Sequence, residues 1–137
     1  MTETNSDSRW NSLEAEFRAQ RLPDAYVAAS RFPVIPNANP ASEDDHAAAM
    51  EELAFGERFG DYMAIVDWSV EDGWHDRRIV PFGPLQLSPA AAVLHYSQEI
   101  FEGLKAFRLE DGCFWTFRPG FYAARLNHSA RRLAMPE

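Results

Sequence analysis

The chain has 137 residues, of which 46% are hydrophobic and 25% are charged, and its formal net charge is −8 at pH 7. This length suits one domain with a modest core, and the composition is that of a globular protein. The negative charge argues against a general affinity for nucleic acid or for anionic membranes, and we expect neither as a partner.

The cysteine content and the N-terminal residues bear on the compartment. Cys113 is the only cysteine, which excludes an intrachain disulfide and suits a reducing cytoplasm. The N-terminus is polar and acidic, without the apolar stretch of a secretory signal, and no apolar run is long enough to cross a bilayer. We therefore expect a soluble, cytoplasmic protein.

The N-terminal residues predict a tail. Residues 1–30 are mostly polar, so we expect them to be mobile, and we place the folded domain at 31–137. Leu13 and Phe17 lie four residues apart and allow one or two amphipathic turns within the tail.

Two short elements follow the tail. Residues 31–36 contain alternating prolines, which indicate an extended edge segment because proline donates no backbone hydrogen bond. Residues 46–53 are rich in alanine, methionine and glutamate, as is typical of a helix, and Ser42 or Asp44 lies near its start.

From Tyr62 onward the pattern changes to that of β-strands. Residues 62–68 mix β-branched and aromatic side chains over the length of an average strand. Residues 78–82 repeat this pattern after a turn at Glu71-Asp72-Gly73. Ser88-Pro89 then predicts the start of a short helix over 90–93.

The C-terminal third predicts a hairpin and a helix. Residues 100–108 and 113–117 flank Glu110-Asp111-Gly112, which favours a tight turn. Residues 119–134 have an amphipathic, helical pattern. We predict a small α+β domain in which this helix packs against one sheet of four strands, near 62–68, 78–82, 100–108 and 113–117.

Residue spacing argues against two kinds of site. The histidines do not have the spacing of metal ligands, so we expect no metal site. The absence of a glycine-rich phosphate loop excludes the P-loop and the dinucleotide-binding fingerprint. A structural role is favoured for Cys113, because its position after a turn suggests no electropositive setting. The histidines are His46, His75, His95 and His128.

Lys105 is the only lysine and lies among aromatic residues. Strand alternation places it on one face with Phe101, Gly103 and Phe107, and places Glu102 on the other face. A lysine in such a row either extends its ammonium from a core or lines a pocket with a polar rim. Gly103 would let a ligand approach the backbone closely.

Arg125 lies on the predicted helix over 119–134. Its guanidinium is able to bind a phosphate through two parallel hydrogen bonds. Residue chemistry alone favours a surface salt bridge, so the pattern leaves both roles open.

The most informative stretch is Leu94-His95-Tyr96-Ser97-Gln98-Glu99-Ile100-Phe101-Glu102-Gly103-Leu104-Lys105-Ala106-Phe107-Arg108. It resembles the signature of the branched-chain amino-acid aminotransferases, which are pyridoxal-phosphate enzymes of the fold-type IV class. Phe117-Arg118-Pro119, Ala124-Arg125-Leu126 and residues 129–136 match the same family in the same order. The resemblance covers about residues 60–137 and departs from the family at Ser97, where glycine or alanine is usual.

The resemblance implies a role for each candidate residue. Arg125 matches the family residue that binds the cofactor phosphate. Phe101 and Gly103 match residues that line the pocket for the aliphatic side chain of the substrate. Tyr96 is implied to shape that pocket and to reach the neighbouring subunit's site in a homodimer. Lys105 is implied to stay near the pocket as a polar neighbour.

The resemblance also implies an activity, namely amino transfer between leucine, isoleucine or valine and 2-oxoglutarate. The cofactor, pyridoxal 5′-phosphate, needs a lysine that holds its aldehyde as a Schiff base and moves the α-proton. Lys105 does not match that family position, so we expect no catalytic residue in this chain.

We accordingly expect an N-terminal fragment, inactive by itself, of the small domain, with the second, larger domain absent. The alternative is a non-catalytic binding or interaction module derived from the same family.

Overall fold

The computed structural model divides the chain into two compact units, Pro23–Gln86 and Leu87–Glu137 with Met1–Leu22. The structure describes residues 11–12, 14–15, 25–51 and 56–137. Most of the predicted N-terminal tail, including Leu13 and Phe17, therefore lies outside the described residues, and its mobility stays a prediction.

The described residues form a small α+β structure, which confirms the predicted class. None of the helices in this part of the chain has both the length and the apolar character needed to span a bilayer. The helices are α1 (Ala25–Ala29), α2 (Glu43–Glu51), α3 (Ala92–Tyr96) and α4 (Pro119–Arg132). The strands are β1 (Tyr62–Ser69), β2 (Gly73–Pro81), β3 (Ala106–Arg108) and β4 (Phe114–Thr116).

Strands β1 and β2 form an antiparallel hairpin in the unit Pro23–Gln86. Their register pairs Tyr62 with Pro81 and Ser69 with Gly73. Gly73 has φ 64°, a conformation that glycine adopts without the steric cost of a side chain. The two predicted strands are confirmed, and β2 begins five residues before the predicted start at residue 78.

A β-bulge interrupts this hairpin between Ile65 and Asp67. On the facing strand, Asp76 has φ 49°, a left-handed conformation that aspartate tolerates better than most residues. Arg78 Nη1 donates to the Asp76 carbonyl at 2.6 Å and to Asp67 Oδ2 at 2.7 Å. The Arg78 guanidinium therefore forms hydrogen bonds with both strands at the β-bulge.

Val34 adds an edge to β2 by pairing in parallel with Ile79. The Ile35 N–H donates to the Ile79 carbonyl at 2.8 Å, and the Ile79 N–H donates to the Pro33 carbonyl at 2.9 Å. Pro33 and Pro36 donate no backbone hydrogen bond, which limits this pairing to its short length. The predicted extended edge segment is confirmed.

Helix α2 begins with a reciprocal cap. Ser42 Oγ accepts from the Asp45 N–H at 3.1 Å, while Asp45 Oδ2 accepts from the Ser42 N–H at 3.2 Å and from its hydroxyl at 2.6 Å. These hydrogen bonds hold the pKa of Asp45 below its usual value. The predicted helix is confirmed up to Glu51, and its start near Ser42 is confirmed with Glu43 as the first helical residue. Residues 52 and 53, the end of the predicted helix, lie outside the described residues.

Strands β3 and β4 form a second, separate hairpin, so the described residues contain two two-stranded sheets and not the one sheet predicted. The register pairs Ala106 with Thr116. If this register continued, Gly103 would face Pro119, which has no N–H and begins α4. Pairing already stops at the Ala106–Thr116 pair, two residues before Arg118 leaves the extended conformation with φ 46°. The prediction of a strand is wrong for residues 100–105.

Both faces of the β3–β4 hairpin are exposed along its paired residues. Phe107, Phe114 and Trp115 each keep more than half of their accessible surface. The predicted packing of this hairpin against the helix over 119–134 is therefore not found in the described part of the chain.

The helix predicted over 90–93 is displaced towards the C-terminus, because Ser88 forms a turn and not a helix cap. Its hydroxyl accepts from the Ala90 N–H at 3.2 Å, and its carbonyl accepts from the Ala91 N–H at 2.9 Å. Helix α3 then starts at Ala92 and ends before Ser97, which has φ 49°.

Helix α4 confirms the helix predicted over 119–134. Pro119 lies in its first turn, where the missing N–H removes no intrahelical bond. Ala134, with φ 51°, ends the helix in a Schellman motif, in which the Met135 N–H donates to the Ala130 carbonyl at 2.9 Å. Its buried face consists of small residues, namely Gly120, Ala124 and Ala130.

Gly73→Ala tests whether the β1–β2 turn depends on backbone conformation. A Cβ at this position would meet no atom within 4 Å, so the expected loss of roughly 1–2 kcal/mol of unfolding free energy comes from the positive φ alone. Gly83→Ala is the matched control, because its Cβ also meets open space and its φ is not positive. Urea unfolding should show a loss for Gly73→Ala only, and equal effects would contradict this account.

Candidate functional site

Residues 98–102 form a segment outside the helices and strands that runs antiparallel along helix α4. Gln98 Nε2 donates to the Leu133 carbonyl at 2.8 Å, at the C-terminal end of the helix. Glu102 pairs with Arg125, about two helical turns earlier. Four residues span at most about 13 Å, and the helix rises about 12 Å from Arg125 to Leu133, so one segment can reach both contacts.

The side chains of this segment alternate with the period of a strand. Gln98, Ile100 and Glu102 are half-buried, whereas Phe101 and Gly103 are exposed. The predicted division into two faces therefore holds for these residues, although no strand pairs with the segment in the described part of the chain.

The Arg125 guanidinium binds the Glu102 carboxylate as a fork. Nε donates to Oε2 at 2.5 Å, and Nη2 donates to Oε1. The guanidinium carbon lies 5.6 Å from the centroid of the Tyr122 ring, within the range of a cation–π contact. The Glu102 side chain keeps 11% of its accessible surface and that of Arg125 keeps 44%, so the carboxylate is enclosed and the guanidinium is partly open to solvent.

This ion pair sets the charge of both partners. The hydrogen bond from Arg125 holds the pKa of Glu102 below its usual value, and a hydrogen bond from the Gly103 N–H to Oε1 at 3.0 Å adds to the effect, while burial opposes it. The hydrogen bond to Glu102 likewise raises the pKa of Arg125 above its usual value. Both groups are therefore charged at neutral pH.

The structure connects Gly103 and Arg125, two of the predicted site residues, through one carboxylate. The Gly103 N–H and the Arg125 guanidinium both donate to Glu102. A Cβ at Gly103 would meet nothing within 4 Å, and Phe101 keeps 92% of its accessible surface. The face that carries Phe101 and Gly103 is therefore open.

The structure does not join the other two predicted site residues to this cluster. Tyr96, at the end of α3, keeps 83% of its accessible surface, and its ring contacts the His95 ring at 6.4 Å between centroids. Lys105 is exposed. Neither side chain bonds to Arg125 or Glu102 within the described residues.

Glu102 is the functional candidate that the sequence did not identify. Alternation placed it correctly on the face opposite Phe101, but its partner lies 23 residues away on a helix. No local spacing rule connects an extended segment to a helix at that separation, whereas pairs three or four residues apart on one helix are readable from the sequence.

The relatives found by sequence comparison are described as branched-chain-amino-acid aminotransferases or transaminases. No protein-family model matches the chain. Branched-chain-amino-acid aminotransferase of Mycolicibacterium smegmatis is 50% identical over 106 residues, which are 77% of this chain and 29% of the relative. The resemblance to this family is confirmed. The probable branched-chain-amino-acid aminotransferase of Streptomyces coelicolor is 51% identical over 102 residues, 74% of this chain and 28% of the relative.

A third relative of this chain comes from a further genus. Branched-chain-amino-acid transaminase 1 of Bacillus subtilis is 49% identical over 84 residues, 61% of this chain and 24% of the relative. The chain spans less than a third of the length of these curated aminotransferases. The activity, substrates and partners of the whole protein therefore belong to the proposal below.

Titration of Glu102 tests the ion pair in solution. Because Arg125 lowers the pKa of Glu102, the pair's contribution to stability is fully present above the pKa of the unfolded chain and is lost as the pH falls through the lower, folded value. Carboxyl ¹³C NMR should show a titration midpoint for Glu102 below that of an ordinary glutamate. In Arg125→Gln this midpoint should rise towards the ordinary value. Arg132→Gln, an equal charge change at an exposed position of α4, should leave the midpoint nearly unchanged, and an equal response would contradict the pairing.

Proposed function

We propose that this chain contributes part of the active site of a branched-chain amino-acid aminotransferase of the fold-type IV class. The reaction is amino transfer between leucine, isoleucine or valine and 2-oxoglutarate. The observation that carries the proposal is about 50% identity to proteins of that name over three quarters of the chain. The open face at Phe101 and Gly103, beside an arginine fork, agrees with it.

The cofactor of this proposal is pyridoxal 5′-phosphate, with its phosphate bound by Arg125. A guanidinium matches phosphate geometry through paired hydrogen bonds, and Arg125 is partly open to solvent. Glu102 takes up the Nε and Nη2 donors, and no described residue accepts from Nη1, so donors remain for an anion. When bound, the cofactor supplies the electron sink for amino transfer.

The substrate pocket of this proposal is formed in part by the exposed face of the extended segment. Phe101 supplies apolar surface for an aliphatic side chain, and Gly103 lets the substrate approach the backbone. Tyr96 shapes the same pocket and reaches the neighbouring subunit in a homodimer. Lys105 provides a polar neighbour at the rim.

The chemical step requires a residue that this chain does not supply. We propose that Lys105, the only lysine, is not the residue that holds the cofactor aldehyde, so the chain alone does not transaminate. We propose the cytoplasm as the compartment, because Cys113 is an exposed free thiol that suits a reducing environment.

Arg125→Ala should weaken phosphate binding far more than folding. It removes a charge-assisted fork worth roughly 1.5–3 kcal/mol per hydrogen bond to phosphate. The change also leaves the Glu102 carboxylate without its partner, so we expect a smaller loss of stability beside the loss of affinity. Arg125→Lys should restore only part of the affinity, because an ammonium cannot reproduce the two parallel bonds. The measurement is NMR titration of the chain with pyridoxamine 5′-phosphate, which has no aldehyde to react with amines, together with thermal melting.

Arg132→Ala is the control for this experiment, since it removes the same charge from an exposed position of α4. It should leave the affinity within about twofold. If Arg125→Ala keeps full affinity while the protein melts much earlier, Arg125 is a structural salt-bridge residue and the proposed cofactor site is wrong.

A further inference from the structure

Glu102 is an enclosed carboxylate between the two parts of the proposed site. Its side chain keeps 11% of its accessible surface and accepts hydrogen bonds from Arg125 and from the Gly103 N–H. It also belongs to the segment whose other face carries Phe101. It contacts both the proposed phosphate-binding residue and the proposed pocket wall.

We propose that Glu102 is a positioning residue that orients the Arg125 guanidinium for the cofactor phosphate and fixes the backbone at Gly103 with the same carboxylate. This inference rests on the proposed function of Arg125. Glu102 touches neither cofactor nor substrate and acts through its neighbours.

The division of donors on the guanidinium supports this role. Glu102 uses the edge formed by Nε and Nη2, which leaves both Nη1 hydrogens and one Nη2 hydrogen. One Nη1 hydrogen and the remaining Nη2 hydrogen lie along one planar edge that can receive two phosphate oxygens. The Tyr122 ring covers one face of the same guanidinium at 5.6 Å. An otherwise flexible side chain is thereby held in one orientation before the anion arrives.

Gln98 restrains the other end of the segment. Its bond to the Leu133 carbonyl holds the backbone four residues before Glu102 against the same helix. Glu102 can therefore set the position of Arg125 relative to Phe101 and Gly103, because the segment cannot slide along α4. The carboxylate thus fixes the distance between Arg125, which binds the cofactor phosphate, and the face at Phe101 and Gly103, which contacts the substrate side chain.

The negative charge of Glu102 has an opposite effect, since it repels an approaching phosphate. At about 0.15 M salt, charges are screened over roughly 8 Å, which weakens this repulsion at a partly exposed site. Glu102→Asp separates the two effects, because it keeps the charge and shortens the side chain so that the fork is lost. A positioning role predicts weaker phosphate binding in this variant, whereas a purely repulsive role predicts no change.

The test is NMR titration of the full 137-residue chain, and of its variants, with pyridoxamine 5′-phosphate at millimolar concentrations. Glu102→Asp should weaken binding about five- to tenfold, while the affinity for pyridoxamine, which lacks the phosphate, should stay within twofold. The Arg125 Nε–H resonance, shifted by its bond to the carboxylate, should move towards that of a free arginine. Glu99→Asp is the matched control, because Glu99 is exposed and lies in the same stretch of chain.

Three outcomes would overturn the inference: unchanged affinity in Glu102→Asp, tighter phosphate binding in Glu102→Gln, or equal losses for pyridoxamine and its phosphate. The double variant Arg125→Ala/Glu102→Asp should bind the phosphate no more weakly than Arg125→Ala alone, since Glu102 affects phosphate binding through Arg125. If Arg125→Ala itself keeps full affinity, the proposed function fails. If only the Glu102 variants keep it, this inference fails and the proposed function stands.

Discussion

A single carboxylate joins the segment that carries Phe101 and Gly103 to the helix that carries Arg125. The segment has no strand partner in the described part of the chain, so its position depends on side-chain contacts with α4. Gln98 and Glu102 provide those contacts at its two ends. The open face at Phe101 exists because the opposite face is held against a helix.

The start of α4 limits how far the neighbouring hairpin can extend. Arg118, directly before the helix, has φ 46°, and Pro119 has no N–H to donate to Gly103, which it would face if the β3–β4 register continued. The hairpin ends before that limit, at the Ala106–Thr116 pair. Residues 100–105 therefore have no strand partner in the described part of the chain, and the Glu102 side chain contacts the helix.

Local rules predicted the elements from the sequence but not their assembly. The Ser42 cap, the prolines around Val34 and the amphipathic pattern of α4 act over a few residues, and all three predictions are confirmed. The single sheet was wrong because local patterns indicate which residues form strands and not which distant strands pair, and the described strands pair only as two separate hairpins. The prediction of a phosphate-binding role for Arg125 came from family resemblance. Glu102 did not become a candidate, because its partner is distant in sequence and its isolated carboxylate carries no spacing signal.

The most direct test of the central claim, that the phosphate of the cofactor binds at Arg125 beside the Phe101–Gly103 face, is chemical-shift mapping with pyridoxamine 5′-phosphate. The account predicts that the largest changes involve the Arg125 side chain and the backbone of residues 101–103. Changes centred on Arg131 and Arg132, with none at Arg125, would contradict it. Such a result would place the anion at the helix end and remove the basis for the proposed site.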